Sequence, residues 1–142
     1  MNSKSTRFLL VEDNNAHAKL VMLQLCDPNG SVVVDRVSDG SEALDYLHQR
    51  GEYAGKQRPD IVLLDLKLPR VDGHEVLRQV KTDEGLKAIP IVVLTTSTAE
   101  IDKAKAYHNF ANSYVTKPLD FDKFQEMMQS LKHYWSAWNQ SA

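Results

Sequence analysis

Acids, hydroxyls and one amine stand at matching places along this chain, each directly after a short apolar run. Glu12-Asp13-Asn14 follows Phe8–Val11, Asp65 follows Ile61–Leu64, Thr95-Thr96-Ser97 follows Ile91–Leu94, and Lys117-Pro118 follows Tyr114–Thr116. Taken singly, most have ordinary readings. Asp13 or Asn14 can simply cap a following helix, Thr95 is a good β-former, and Lys117 reads as a solvated loop charge. Asp65 is different: a carboxylate directly after Ile-Val-Leu-Leu is costly to bury unpaired, and a strand needs no acid there. If the run ends converge, their carboxylates repel one another and raise their own pKa values unless a cation joins them. A hard divalent ion such as Mg²⁺, which takes one or two carboxylates, keeps several waters and draws further oxygens from phosphate, suits that set. Cys26 and the five scattered histidines show no transition-metal spacing. Neither Gly-x-x-x-x-Gly-Lys nor Gly-x-Gly-x-x-Gly occurs, which argues against nucleotide binding. A metal, a carboxylate, a hydroxyl and a lysine can together place a phosphoryl group on Asp65 and neutralise its oxygens.

Those residues need a scaffold that brings the run ends together. The four runs above and Val32–Val37 are all of strand length, and the central ones are continuous in Val, Ile and Leu, as in strands covered on both faces. Between them lie helical spacings: Leu20, Leu23 and Met22 to Leu25; Ala43, Leu44 and Leu47; Val76, Leu77 and Val80. Asp39-Gly40-Ser41 and Val71-Asp72-Gly73 precede helical runs and can cap them. Pro59, Pro90 and Asp27-Pro28-Asn29-Gly30 fall between elements. Alternating strands and helices predict a doubly wound α/β domain with a five-stranded parallel sheet, in which ligands bind beyond the carboxyl ends of the strands. The segment Arg50–Arg58 reads as a surface excursion.

The chain has 142 residues, the size of one domain, and 42% hydrophobic with 25% charged residues is the balance of a globular protein. Seventeen Lys plus Arg against nineteen Asp plus Glu give a net charge of -2, so charge supplies no drive toward nucleic acid or anionic lipid. The apolar runs are too short to span a bilayer, and Met1–Arg7 lacks the apolar stretch of a secretory signal, so no membrane association and cytoplasmic residence are expected. Cys26, among Met22, Leu23 and Leu25, is expected to be a small buried hydrophobe.

The motifs Leu10-Val11-Glu12-Asp13-Asn14, Leu63-Leu64-Asp65-Leu66-Lys67-Leu68-Pro69 with Asp72-Gly73, Leu94-Thr95, and Tyr114-Val115-Thr116-Lys117-Pro118 resemble the receiver domain of two-component response regulators. The resemblance runs from about Phe8 to Leu131. It narrows, through the Gly51-Glu52-Tyr53 loop, Leu94-Thr95-Thr96-Ser97 and the aromatic C-terminus, toward stand-alone receivers paired with bacterial phytochromes. It implies a flavodoxin-like, CheY-like sheet in the order 2-1-3-4-5. It further implies a signalling protein, not an enzyme, whose chemistry is limited to accepting a phosphoryl group on Asp65 from a sensor histidine kinase and slowly losing it. By the same resemblance, Asp13, Asp65, the backbone carbonyl of Lys67 and Glu12 through water hold Mg²⁺, with Mn²⁺ or Ca²⁺ as substitutes. Lys117 pairs with the phosphoryl oxygens, the Lys117–Pro118 peptide is cis, Thr95 donates its hydroxyl, and Tyr114 turns inward once Thr95 moves. Thr96 stands where many receivers carry Ala, narrowing access to the phosphoryl group.

Phe121, Phe124, Met128, Leu131, Trp135 and Trp138 recur at spacings of 3, 4, 3, 4 and 3. They predict a last helix over about 120–138 within a single domain of residues 1–142. Phe121 to Leu131 are expected to pack on the domain's own sheet. Tyr134, Trp135 and Trp138 are expected to outrun it and form a homodimer interface. Ending at Ala142, the chain is expected to signal through protein contacts. A phosphorelay intermediate or phosphate sink is the alternative, and a non-phosphorylated pseudo-receiver a weaker one, since Asp13, Asp65 and Lys117 are all present. A haloacid-dehalogenase-like phosphatase is disfavoured because Lys67, not an acid, stands two residues after Asp65.

Overall fold

The computed structural model describes residues 5–139; Met1–Lys4 of the N-terminal reading and the chain end at Ala142 lie outside them. Five strands, β1 (Thr6–Val11), β2 (Val32–Val37), β3 (Ile61–Leu64), β4 (Ile91–Thr95) and β5 (Ser113–Thr116), alternate with α1 (Asn15–Leu25), α2 (Gly40–Leu47), α3 (Gly73–Thr82), α4 (Glu100–His108) and α5 (Phe121–His133). The sheet is parallel throughout, in the order β2-β1-β3-β4-β5. In β1, Leu9 and Val11 join Val62, Leu64, Ile91 and Val93 against the helices α2 and α3. The alternate residues Phe8 and Leu10 join Ile61, Leu63, Val92 and Leu94 against α1 and α5. Both faces being covered is why these runs are continuously apolar.

Side-chain caps start four of the helices. Asn14 accepts from His17 N–H, Asp39 from Glu42 N–H, Asp72 from His74 N–H and Asp120 from Lys123 N–H, each satisfying a donor the helix cannot. Two glycines mark close approaches. A Cβ on Gly40 would lie 1.7 Å from the Val71 carbonyl oxygen, and one on Gly73 2.3 Å from that of Asp65, so α3 begins directly against the backbone of Asp65.

Several expectations need correction. α1 buries Ala18, Val21 and Leu25, whereas Leu20 and Leu23 are exposed, because the face turned to the sheet is set by Val21 and Leu25 one turn apart. Cys26 is exposed, not buried; it is the residue at which the chain leaves α1 in extended conformation toward the Asp27–Gly30 turn. The Arg50–Arg58 segment is the surface excursion expected, exposed throughout except at Tyr53, whose ring centroid lies 5.2 Å from that of Tyr46. At the C-terminus, α5 passes into a π-helical turn over Tyr134–Trp138. Phe124 and Met128 are buried, but Phe121, in the first turn, is exposed. Trp135 packs against the α1/α5 core, since it stands seven residues past Met128 on the same face. Of the aromatic residues assigned to an outside partner, Tyr134 and Trp138 are exposed, at 51% and 71%. No helix among the described residues is long and apolar enough to cross a membrane.

Candidate phosphoryl and metal site

The carboxyl ends of β1, β3, β4 and β5 lie side by side, and their polar residues meet there. Glu12, Asp13 and Asp65 each bring a carboxylate oxygen within 4.8 Å of the others. Asn14, not Asp13, caps α1, which leaves Asp13 to the acidic cluster. Glu12 is 1% exposed. Its backbone N–H donates to the Val37 carbonyl, and Asn14 N–H donates to Glu12 Oε2 at 3.1 Å. Asp65 Oδ1 accepts from Leu66 N–H at 2.7 Å, which orients that carboxylate at the strand tip.

Lys117 arrives from the end of β5. Its ammonium lies 2.5 Å from Glu12 Oε1 and 3.9 Å from Asp65 Oδ2, so one buried cation serves two acids from different strands. Burial pushes the Glu12 carboxyl above its ordinary range; the Lys117 hydrogen bond and charge pull against that, and the Asp65 charge adds to it. Three carboxylates sharing one ammonium leave a deficit of positive charge, and their all-oxygen donor set fits a hard divalent cation. Lys67 follows Asp65 on the same loop with its side chain exposed.

Thr95, 1% exposed, ends β4. Its carbonyl accepts from Lys117 N–H at 2.7 Å and its hydroxyl oxygen from Ser97 N–H at 3.3 Å. Tyr114 is partly buried and its hydroxyl donates to the Ser97 carbonyl at 3.0 Å. The Lys117–Pro118 peptide, expected cis, is trans, and no cis bond occurs among the described residues. Trans is the isomer that X–Pro bonds favour, by about 0.5–1 kcal/mol, and Lys117 reaches both acids with it.

Two contributors escaped the sequence reading. Arg36, beside Asp35 near the end of β2, donates through Nε and Nη2 to the Glu12 carbonyl at 3.0 and 2.8 Å and so fixes the loop that carries the acids. Its position at the rim end of β2 was the available signal. His17, one turn into α1, brings Nδ1 to 3.5 Å from Lys117 Nζ; nothing in its local sequence marks it.

Comparison with known proteins agrees with this geometry. The family model for the response regulator receiver domain matches residues 8–129. A curated relative, probable methanogenesis regulatory protein FilR2 of Methanothrix harundinacea (strain 6Ac), is 50% identical over 133 residues, covering 94% of this chain and 85% of FilR2. Response regulator Rcp1 of Synechocystis sp. (strain ATCC 27184 / PCC 6803 / Kazusa) is 40% identical over 129 residues, 89% of this chain and 86% of Rcp1. The crystal structure of Rcp1 in its Mn²⁺-bound form superposes with a TM-score of 0.91 at 37% identity, covering 96% of this chain and 99% of that one. The phosphorylated cyanobacterial phytochrome response regulator RcpA superposes with a TM-score of 0.92 at 39% identity, covering 96% and 98%. The acidic cluster and the Mn²⁺-bound relative together support a divalent-metal site. With the match running from the first core residue of β1 nearly to the end of α5, and all four strand-end motifs inside it, this chain belongs to the response regulator receiver domain family.

Proposed function

We propose that the protein is a phosphorylation-driven signalling switch that accepts a phosphoryl group on Asp65 from a phosphohistidine of a sensor kinase, with Mg²⁺ as the resident ion. The observation that carries this reading is the cluster itself: the Glu12, Asp13 and Asp65 carboxylates within 4.8 Å of one another, with the buried Lys117 ammonium 3.9 Å from Asp65. An Asp65 carboxylate oxygen attacks phosphorus, the O–P bond forms as the P–N bond breaks, and the departing imidazole nitrogen keeps the electron pair. Asp13, Asp65 and the Lys67 carbonyl, with Glu12 through water, would hold the ion, which would supply positive charge to neutralise the phosphoryl oxygens. Lys117 pairs with the phosphoryl oxygens and the Thr95 hydroxyl donates to one of them. A cleft of about 210 Å³, lined by His17, Leu20, Lys117, Pro118, Leu119 and Phe121, opens beside Lys117 and leaves that side of the site open to approach.

Phosphorylation adds roughly -1.5 to -2 charges and strong acceptors. Inverting a two-state population from 1:99 to 99:1 takes about 5.5 kcal/mol, which two or three charge-assisted hydrogen bonds at roughly 1.5–3 kcal/mol each supply. In this reading the loop after Thr95 shifts as its hydroxyl bonds the phosphoryl group, and Tyr114, bonded to the Ser97 carbonyl, moves with it.

The kinase is taken to be a phytochrome acting in the cytoplasm, a reading supported by the likeness to RcpA. The higher identity to FilR2, a probable methanogenesis regulatory protein, favours as second reading a sensor kinase of a metabolic regulatory system. Exposed Tyr134 and Trp138 support a homodimer through the C-terminal turn, and sedimentation at micromolar concentration that finds only monomers in either phosphorylation state overturns it. For the central reading, treatment with acetyl phosphate and Mg²⁺ is expected to add one phosphoryl group by mass, and Asp65→Asn to abolish the gain. An unmodified parent chain, or an Asp65→Asn chain that still gains the group, overturns it.

A further inference from the structure

α4 is held differently from every other helix. Its one buried side chain is Ala106, and its N-cap, Ala99, offers no side-chain oxygen. Polar contacts at its first turn take over. Asp102 Oδ1 lies 3.1 Å from His74 Nε2 on α3, and Asp102 Oδ2 accepts from Ser97 Oγ at 2.7 Å. Ser97 Oγ in turn accepts from Ala99 N–H at 3.2 Å, immediately ahead of the helix. His74 is nearly buried, at 11% side-chain exposure, and its Nδ1 has no hydrogen-bond partner among the described residues. A proton on that buried nitrogen would be an unmatched donor, so the neutral ring carries its hydrogen on Nε2, aimed at Asp102.

The same Ser97 is bound into the site. Its N–H donates to the Thr95 hydroxyl oxygen and its carbonyl accepts from Tyr114 and Thr116. A continuous chain of contacts therefore runs from α3, which begins against the Asp65 backbone, through Asp102 to the loop that carries Thr95. We infer that Asp102, gripped by His74 on one side and Ser97 on the other, is a positioning residue that ties α4 to the Thr95 loop and passes the loop's displacement to that helix. The inference rests on the proposed phosphorylation of Asp65 for the event that moves the loop; the grip on α4 is present without it.

Amide hydrogen–deuterium exchange of the full chain tests both parts. In the unphosphorylated protein, Asp102→Ala and His74→Ala are each expected to speed exchange over residues 100–108 by about tenfold or more, as loss of a hydrogen bond to a charged group implies. Exchange over α3 should stay within about twofold. Asp102→Asn, which keeps one acceptor and offers an N–H, is expected to restore most of the protection. After acetyl phosphate and Mg²⁺, the parent should change its α4 exchange, while Asp102→Ala gains the phosphoryl group without a further change there. Unaltered α4 exchange in Asp102→Ala and His74→Ala, or a phosphorylation response in Asp102→Ala as large as the parent's, overturns the inference; should Asp102→Ala not fold, His74→Ala decides alone. Failure of the parent chain to gain a phosphoryl group sinks the phosphoacceptor reading instead, and the unphosphorylated comparison still decides whether Asp102 holds α4.

Discussion

The rim of the sheet has two halves of opposite construction. The acidic half, at the ends of β1 and β3, rests on α3, which buries Gly73, Val76, Leu77 and Val80 and is capped by Asp72. The hydroxyl half, at the ends of β4 and β5, rests on α4, which is nearly as long but buries Ala106 alone and has no side-chain cap. Apolar packing is non-directional and distributed over many contacts, so it holds the acids rigidly. A few hydrogen bonds break singly, so the half that rearranges under the proposed switch is the one held by them. The proposed switch needs both: acids fixed for a cation, and hydroxyls free to approach.

The largest test of that contrast is a pair of truncations read by urea unfolding. Leu77→Ala in α3 is expected to cost about 2–5 kcal/mol, and Ile101→Ala in α4, where Ile101 is 77% exposed, less than about 0.5 kcal/mol. Comparable costs would break the contrast. A second test sharpens the acidic half through pH. Burial raises the folded-state pKa of Glu12 above its ordinary 4.5, so between the two values the folded chain holds a proton that the unfolded chain has released. Stability therefore falls as pH rises from 4.5 through the folded-state value. Glu12→Gln is expected to remove that component from the unfolding curves, and a parent and variant with parallel pH profiles would count against it. The smallest effect lies just beyond α4. Phe110 sits at φ 67°, a left-handed conformation unfavourable for a side chain, so Phe110→Gly is expected to stabilise by about 1 kcal/mol, measured as a rise in the unfolding midpoint.

Much of this molecule is legible without coordinates. Continuous apolar runs such as Phe8–Val11 and Ile61–Leu64 announce strands buried on both faces, and a parallel sheet necessarily gathers the residues that follow them at one edge; that is why Glu12, Asp13, Asp65, Thr95 and Lys117 could be named together. Capping by Asp39 and Asp72 was equally plain, since those bonds span two or three residues. Where the reading failed, the deciding neighbour was remote or the geometry local to a terminus. The face of α1 was misplaced because apolar residues occur around much of the helix, and Cys26 because the chain turns outward there.

Thus the sequence by itself determined which groups stand at the sheet rim, because strand period and direction are local properties that composition imposes. Tertiary structure alone decided that Arg36 braces the Glu12 carbonyl, that Lys117 pairs first with Glu12, and that Asp102 joins α3 to the Thr95 loop. Each of these depends on a distance between residues far apart in the chain, and no local propensity encodes such a distance.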